Sequence, residues 1–147
     1  MPLDPSFAGR SYGSTGSYLV SREKIREFAD AIGATDAPYR DVAAARALGH
    51  PDVIAPPTFA VVVTGAGEVL RDDPELGLDF SRVVHGDQRF AYQRPVFAGD
   101  RLAVVCTIEE IMSRGGHDFL TARSDVTDAA GAAVVTVWTR LVVRGEA

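Results

Sequence analysis

The chain has 147 residues, 46% of them hydrophobic and 24% charged, the balance of one soluble globular domain covering residues 1–147. Fifteen Lys and Arg against twenty Asp and Glu leave a net charge of −5, which argues against a nucleic-acid partner because polyanion binding rests on basic residues. The lone Cys106 excludes an internal disulfide, and the apolar run 53–63, broken by Pro56, Pro57 and Thr58, is 11 residues long against the roughly 20 that a membrane-spanning helix needs.

Met1 to Arg10 shows no basic region followed by an apolar stretch, so no secretory signal is read and a cytosolic location is expected. A short strand is expected at Tyr18 to Val20. From Ser21 to Gly33 the residues Ile25, Phe28, Ala29 and Ile32 fall at helical spacing, with Ser21 placed to cap the start and Gly33 the end. Val42 to Leu48 reads as a second, shorter helix between Asp41 and Gly49. Thr58 to Leu70 is apolar on almost every side, which predicts one buried helix with Pro57 in its first turn. Its β-branched residues would also suit a strand.

After Asp79 the period changes to two. Val84, Phe90, Tyr92 and Val96 share one parity, as do Leu102, Val104, Cys106 and Ile108, then Leu120, Ala122 and Val126, then Ala133, Val135, Val137, Leu141 and Val143. Turns are expected at Gly99-Asp100, Gly115-Gly116 and Asp128 to Gly131. The order predicts an α+β fold in which a four-stranded antiparallel meander wraps a buried helix, the outline of the hot-dog architecture. Trp138, Val134 and Val142 fall on the sheet's second face, which dimerisation would cover.

No pattern of metal ligands, phosphate loop, nucleophile elbow or dinucleotide fingerprint occurs, so no metal or cofactor is expected. His117 reads as a hairpin-tip residue, and His50 as a surface-loop residue or one near a ligand entrance. His85, Asp87 and Arg89 share the polar parity of their strand, a row that solvent exposure explains first and a dimer or cleft network second, and a His and an Asp two apart on a strand face could do acid–base work. Tyr12, Tyr18 and Tyr39 suit core packing or the wall of an apolar tunnel.

Four stretches carry a resemblance: Phe28-Ala29 to Pro38, Val53 to Phe59, His85-Gly86-Asp87-Gln88-Arg89-Phe90, and Tyr92-Gln93-Arg94-Pro95-Val96 with Ala98-Gly99-Asp100. From about Phe7 to Val143 the chain resembles the MaoC-like hot-dog dehydratases, and within them the N-terminal dehydratase-domain subgroup that includes accessory subunits of (3R)-hydroxyacyl-carrier-protein dehydratase. The resemblance implies a hot-dog fold, an acyl-CoA or acyl-carrier-protein thioester as ligand, lyase chemistry in fatty acid metabolism, and a homodimer or a heterodimer with a catalytic MaoC-like subunit. Active members carry an Asp-x-Asn-Pro-x-His loop and a later Ile-Ala-His-Gly, whose Asp and His work on the β-hydroxyacyl thioester while a glycine N–H holds its carbonyl. Aligned on Pro38, the Asp, Asn and His places hold Thr35, Ala37 and Arg40, and a one-residue shift would put Asp36 in the Asp place. Arg40 stays protonated and cannot act as a base. Aligned on Ile54-Ala55, His-Gly becomes Pro56-Pro57, and Pro57 has no N–H to give.

The expected function is therefore an acyl-thioester-binding accessory subunit, with Thr35, Tyr39, Arg40, His50, Pro57 and Thr58 as substrate-binding candidates. A homodimeric (R)-specific hydratase would need relocated residues, for which Asp36, His50, His85 and Asp87 are candidates. A non-catalytic ligand-binding or structural partner is the third reading. A carrier protein, being acidic, would call for a basic patch such as one around Arg89 and Arg94.

Overall fold

The computed structural model describes residues 2–14, 16–65 and 68–146. Its six-stranded antiparallel sheet comprises β1 Ser11–Gly13, β2 Tyr18–Leu19, β3 Val83–Tyr92, β4 Arg101–Arg114, β5 His117–Thr127 and β6 Ala133–Val143. Neighbours run β1, β4, β5, β6, β3, and β2 pairs with the start of β4. The helices are α1 Arg22–Ile32, α2 Val42–Ala47, α3 Ala60–Thr64 and α4 Glu68–Arg71. This is the expected α+β hot-dog class, with the strand from Tyr18 in place and an additional one at Ser11.

Local signals set the helix ends. The Ser21 hydroxyl accepts a hydrogen bond from the Lys24 N–H at 3.1 Å, satisfying one of the orphan donors of α1, and Gly33 closes that helix in the left-handed region at φ 71°. Asp41 caps α2 in the same way.

Two expectations change. The strands from Val83 onward are not a simple meander, because β3 leaves β4 and pairs with β6 at the far side of the sheet. The expected helix from Thr58 to Leu70 is divided: Gly65, at φ 55°, closes α3 after five residues, and α4 follows at Glu68. Ala66 and Gly67 lie outside the described residues. The wall that α3 presents is correspondingly short, with Phe59 and Ala60 fully buried and Val61, Val62 and Val63 only half-buried.

The core falls into two clusters. One gathers Val20 and Ile25 with Phe59, Val96, Leu102 and Val137 beneath α1 and α3. The other gathers Leu70 and Leu76 with Ile108, Leu120 and Leu141 beneath α4.

Bulges interrupt the two-residue period at three places. Val134 is the extra residue where β6 meets β5, and both it and Val135 are buried. Val134 therefore belongs to the core and not to the second face. Glu109 is the extra residue of β4, after which Ile111 turns inward. The second face carries a polar cluster beside the exposed Val84, Val105 and Met112: Glu109 accepts from Arg123 and from the Trp138 indole N–H, both at 3.1 Å, and the Arg89 guanidinium lies 4.3 Å from the Trp138 ring centre.

The edge strand β1 is tied to the loop after α4. The Tyr12 hydroxyl donates to Asp73 Oδ2 at 2.6 Å and Arg10 donates to the same oxygen at 2.8 Å, and these two bonds hold the Asp73 carboxyl down at about 2. A carboxyl depressed in the folded state stabilises the fold above its unfolded value, near 4 by ordinary carboxylate behaviour, and loses that contribution as pH falls through about 2. Asp73→Asn should thus flatten the fall in stability between about pH 4 and pH 2. Urea titrations of both proteins across that range check this, and parallel acid limbs would refute it.

Candidate functional site

Three segments meet at the Tyr92 end of β3. Pro38 is the middle residue of a single 3₁₀ turn, Ala37–Tyr39, and its carbonyl accepts the Ile54 N–H at 3.1 Å. Ala55 N–H donates to the Val96 carbonyl at 2.7 Å, and Ile54 forms an isolated bridge to Phe97. Together they bound a cleft of about 380 Å³ lined by Tyr39, Ile54, Ala55, Pro57, Tyr92, Gln93, Arg94 and Pro95. Two stretches that carried the sequence resemblance, one around Pro56-Pro57 and one around Arg94-Pro95, converge here.

The Tyr92 hydroxyl donates to the Pro57 carbonyl at 2.5 Å, and the Ala60 N–H bonds back to the phenol oxygen. Burial pushes the Tyr92 hydroxyl up to about 12, opposed only by that N–H, so at neutral pH it is a donor and not a base. Arg94 holds Asp100 through two 2.9 Å bonds, reaches Asp128 at 3.3 Å, and stacks 4.6 Å from the Phe97 ring centre. Asp100 is 6% exposed and also accepts the Phe97 N–H. The Arg94 charge is neutralised inside the protein, and Arg89 is stacked on Trp138 beside Glu109 on the outer face, so the basic patch expected around these two arginines is not formed.

Among the candidates read from the sequence, Tyr39 and Pro57 line the cleft and Thr58 follows directly, exposed, with its carbonyl accepting the Val61 N–H at 3.2 Å. Thr35 and Asp36 are exposed on the approach to the 3₁₀ turn, where the Asp36 carbonyl accepts the Tyr39 N–H at 3.2 Å and its carboxylate makes no capping bond. Arg40 is a structural tie, bonding Asp30 at 2.5 Å and the Ala34 carbonyl at 2.7 Å. His50 is half-buried after α2, its N–H on the Ala45 carbonyl at 3.1 Å, and is not among the cleft's lining residues.

His85 and Asp87 sit at the opposite end of β3, roughly 23 and 16 Å from Tyr92 at about 3.3 Å per residue. They do not share a face. His85 pairs with Leu141 and Asp87 with Arg140, so Gly86 is the extra residue of a bulge that puts His85 on the core side and leaves Asp87 and Arg89 on the outer side. Glycine suits the crowding there, because a Cβ would lie 3.2 Å from a Val142 methyl and 3.3 Å from the Arg140 carbonyl, tighter than ordinary contact. The row of three polar residues read from parity is therefore split.

Sequence reasoning missed Tyr92, Gln93, Arg94 and Pro95 as site residues. The available signal was their place in a motif shared with the resembled family; parity alone assigned Tyr92 to the core. The cleft's described lining contains two phenols, the Gln93 amide, the ion-paired Arg94 and apolar walls but no carboxylate, imidazole or thiol.

A second recess of about 470 Å³ lies along α3 and contains Tyr18, Val62, Val63, Leu102, Val104 and Cys106.

Comparison with known proteins agrees with this fold. Residues 6–137 match the family described as FAS1-like, dehydratase domain region. A UPF0336 protein of Streptomyces coelicolor is 60% identical over 146 residues, 98% of this chain and 97% of that protein. The solved structure of a MaoC-like dehydratase superposes with a TM-score of 0.86 at 31% identity over 95% of this chain, which spans only 43% of that longer one. The HadBC (3R-hydroxyacyl-ACP dehydratase) complex of Mycobacterium tuberculosis superposes with a TM-score of 0.83 at 29% identity, covering 97% of this chain and 99% of the matched one.

Proposed function

Because the chain belongs to the FAS1-like dehydratase-region family of MaoC-like hot-dog proteins, we propose that it is the acyl-thioester-binding, accessory half of a (3R)-hydroxyacyl-thioester dehydratase or enoyl hydratase. The observation that carries this reading is the cleft at Tyr92, walled largely by apolar groups and lined by no carboxylate, imidazole or thiol. Dehydration needs a base at the α-carbon and a donor at the enolate oxygen. The Tyr92 hydroxyl is committed to the Pro57 carbonyl, so both the donor and the base come from a catalytic MaoC-like subunit. HadBC, a complex whose name joins two subunits, is a similar arrangement. The recess along Val62 and Val63 receives the acyl tail, and coenzyme A or a carrier protein supplies the thiol, in a cytosolic setting.

Binding is tested by thermal shift with crotonyl-CoA and longer enoyl-CoA thioesters. A ligand at 100 times its Kd stabilises by about 2.7 kcal/mol, which is a rise of roughly 5–10 °C for a domain of this size. Tyr92→Phe removes the bond that holds the Pro57 turn against β3 and should weaken binding about tenfold, the worth of one hydrogen bond. No shift at any chain length would overturn the proposal.

A further inference from the structure

The recess along α3 follows the core side of β4. Leu102, Val104 and Cys106 share one parity of that strand and all line the recess, and the register sets Tyr18 opposite Leu102 and Tyr12 opposite Cys106. Those two tyrosines therefore stand about 14 Å apart along the strand, at about 3.4 Å per residue. Val62 and Val63 of α3 form the facing wall and are half-buried. The polar residues Ser14, Ser17 and Glu68 of the lining are exposed, whereas Leu102 and Cys106 are buried, so the floor is apolar and the polar groups border the opening.

The two ends differ. Leu102 belongs to the core cluster of Phe59 and Val96, against which Tyr18 and Tyr92 also pack, so this end adjoins the Tyr92 cleft. Cys106 belongs to the other cluster, with Leu70 and Ile108, and Tyr12 packs against that one. The Tyr12 ring thus stands where the recess meets the second core cluster. It is fixed at both ends: its backbone is paired to Cys106, and its hydroxyl is bonded to Asp73, which Arg10 also holds. Arg10 in turn donates to Glu75 at 3.0 Å and lies 4.2 Å from the Phe7 ring centre. A ring braced in this way is a rigid wall.

We infer that Tyr12 is the stop of the acyl groove, and that the substrate is a medium-chain thioester whose tail ends against this ring. This rests on the reading of the recess as the acyl site. An extended chain advances about 1.2 Å per bond, so about 14 Å of groove takes roughly eleven bonds, the tail of an acyl group of about twelve carbons. Shorter tails leave apolar floor uncovered, and longer ones meet the ring.

Isothermal titration calorimetry of the full chain with trans-2-enoyl-CoA thioesters of four to sixteen carbons tests the stop. Affinity should rise at least about tenfold from octenoyl-CoA to dodecenoyl-CoA as further methylenes leave water, and hexadecenoyl-CoA should bind no more tightly than dodecenoyl-CoA. Tyr12→Ala opens the end, so that hexadecenoyl-CoA becomes at least about tenfold the tighter of those two. Tyr12→Phe keeps the ring and therefore the wild-type limit, which separates the stop from the bond to Asp73. Val104→Phe, midway along the floor, should shorten the limit by about five carbons, the length of two strand residues. Each comparison is a ratio within one protein, which a general loss of stability leaves unmoved. Affinity that climbs unbroken to sixteen carbons in the wild type overturns the stop while thioester binding stands. So does a limit unmoved by Tyr12→Ala, or moved as far by Tyr12→Phe; should Tyr12→Ala not fold, a limit unmoved by Val104→Phe does the same. No binding of any thioester overturns the proposed function and the stop with it.

Discussion

Truncating Phe59 to alanine should cost the fold about 3–5 kcal/mol, the range for deleting a fully buried aromatic ring. Phe59 is 0% exposed and immediately precedes α3, and its ring meets Phe28 of α1 edge-on, with centroids 5.5 Å apart and planes at 85°. Three elements therefore depend on one ring: α1, the Pro56-Pro57 turn and the sheet beneath them. With α3 only five residues long, little else in that helix can compensate, since only Ala60 of its residues is fully buried. Against a total stability of about 5–15 kcal/mol the loss is large, and the midpoint of thermal unfolding should fall by roughly 10 °C or more. Phe28 is half-buried and its truncation should cost less, with a coupling of about 0.5–1.5 kcal/mol between the two rings in a double-mutant cycle. Urea unfolding of the four proteins measures both quantities. A loss under about 1 kcal/mol for Phe59→Ala would show that the core is not organised around this ring.

Elements governed by short-range chemistry were readable before the structure. Ser21 and Gly33 bound α1, and Asp41 starts α2, because caps act over three or four residues. The strands declared themselves through their two-residue period. What sequence could not supply was pairing between distant strands: nothing local in Val83 to Tyr92 says that its neighbour is β6 and not β4. Nor could parity survive the bulges, since each extra residue at Gly86, Glu109 or Val134 shifts everything beyond it to the other face. That single effect misplaced His85 and Val134. The left-handed backbone at Gly65 ends α3 inside a stretch whose composition suggested one helix.

The site was half legible. Tyr39 and Pro57 meet as a motif comparison suggests, but Arg40 and His50 serve the loop's own structure, and Tyr92 and Arg94 looked like ordinary strand residues. Arg94 shows why composition misleads at a site: a positive charge counted in the sequence is spent on Asp100 and Asp128 once the chain folds.

The central claim is that this chain binds a thioester but takes its acid–base chemistry from another subunit. Losing one oxyanion donor costs about 10²–10³ in rate, and a positioned acid or base contributes about 10²–10⁴. On the proposed reading, in which Pro57 replaces the family's glycine donor and the Asp/His loop comes from the other subunit, the chain alone should hydrate crotonyl-CoA at least about 10⁴-fold more slowly than an intact pair. The decisive measurement is the rate of crotonyl-CoA hydration by the purified chain alone and by the chain co-purified with a MaoC-type subunit that carries the Asp and His. The account predicts background rates for the first and turnover for the second. Robust turnover by the lone chain, abolished by Asp36→Ala or His85→Ala, would contradict it.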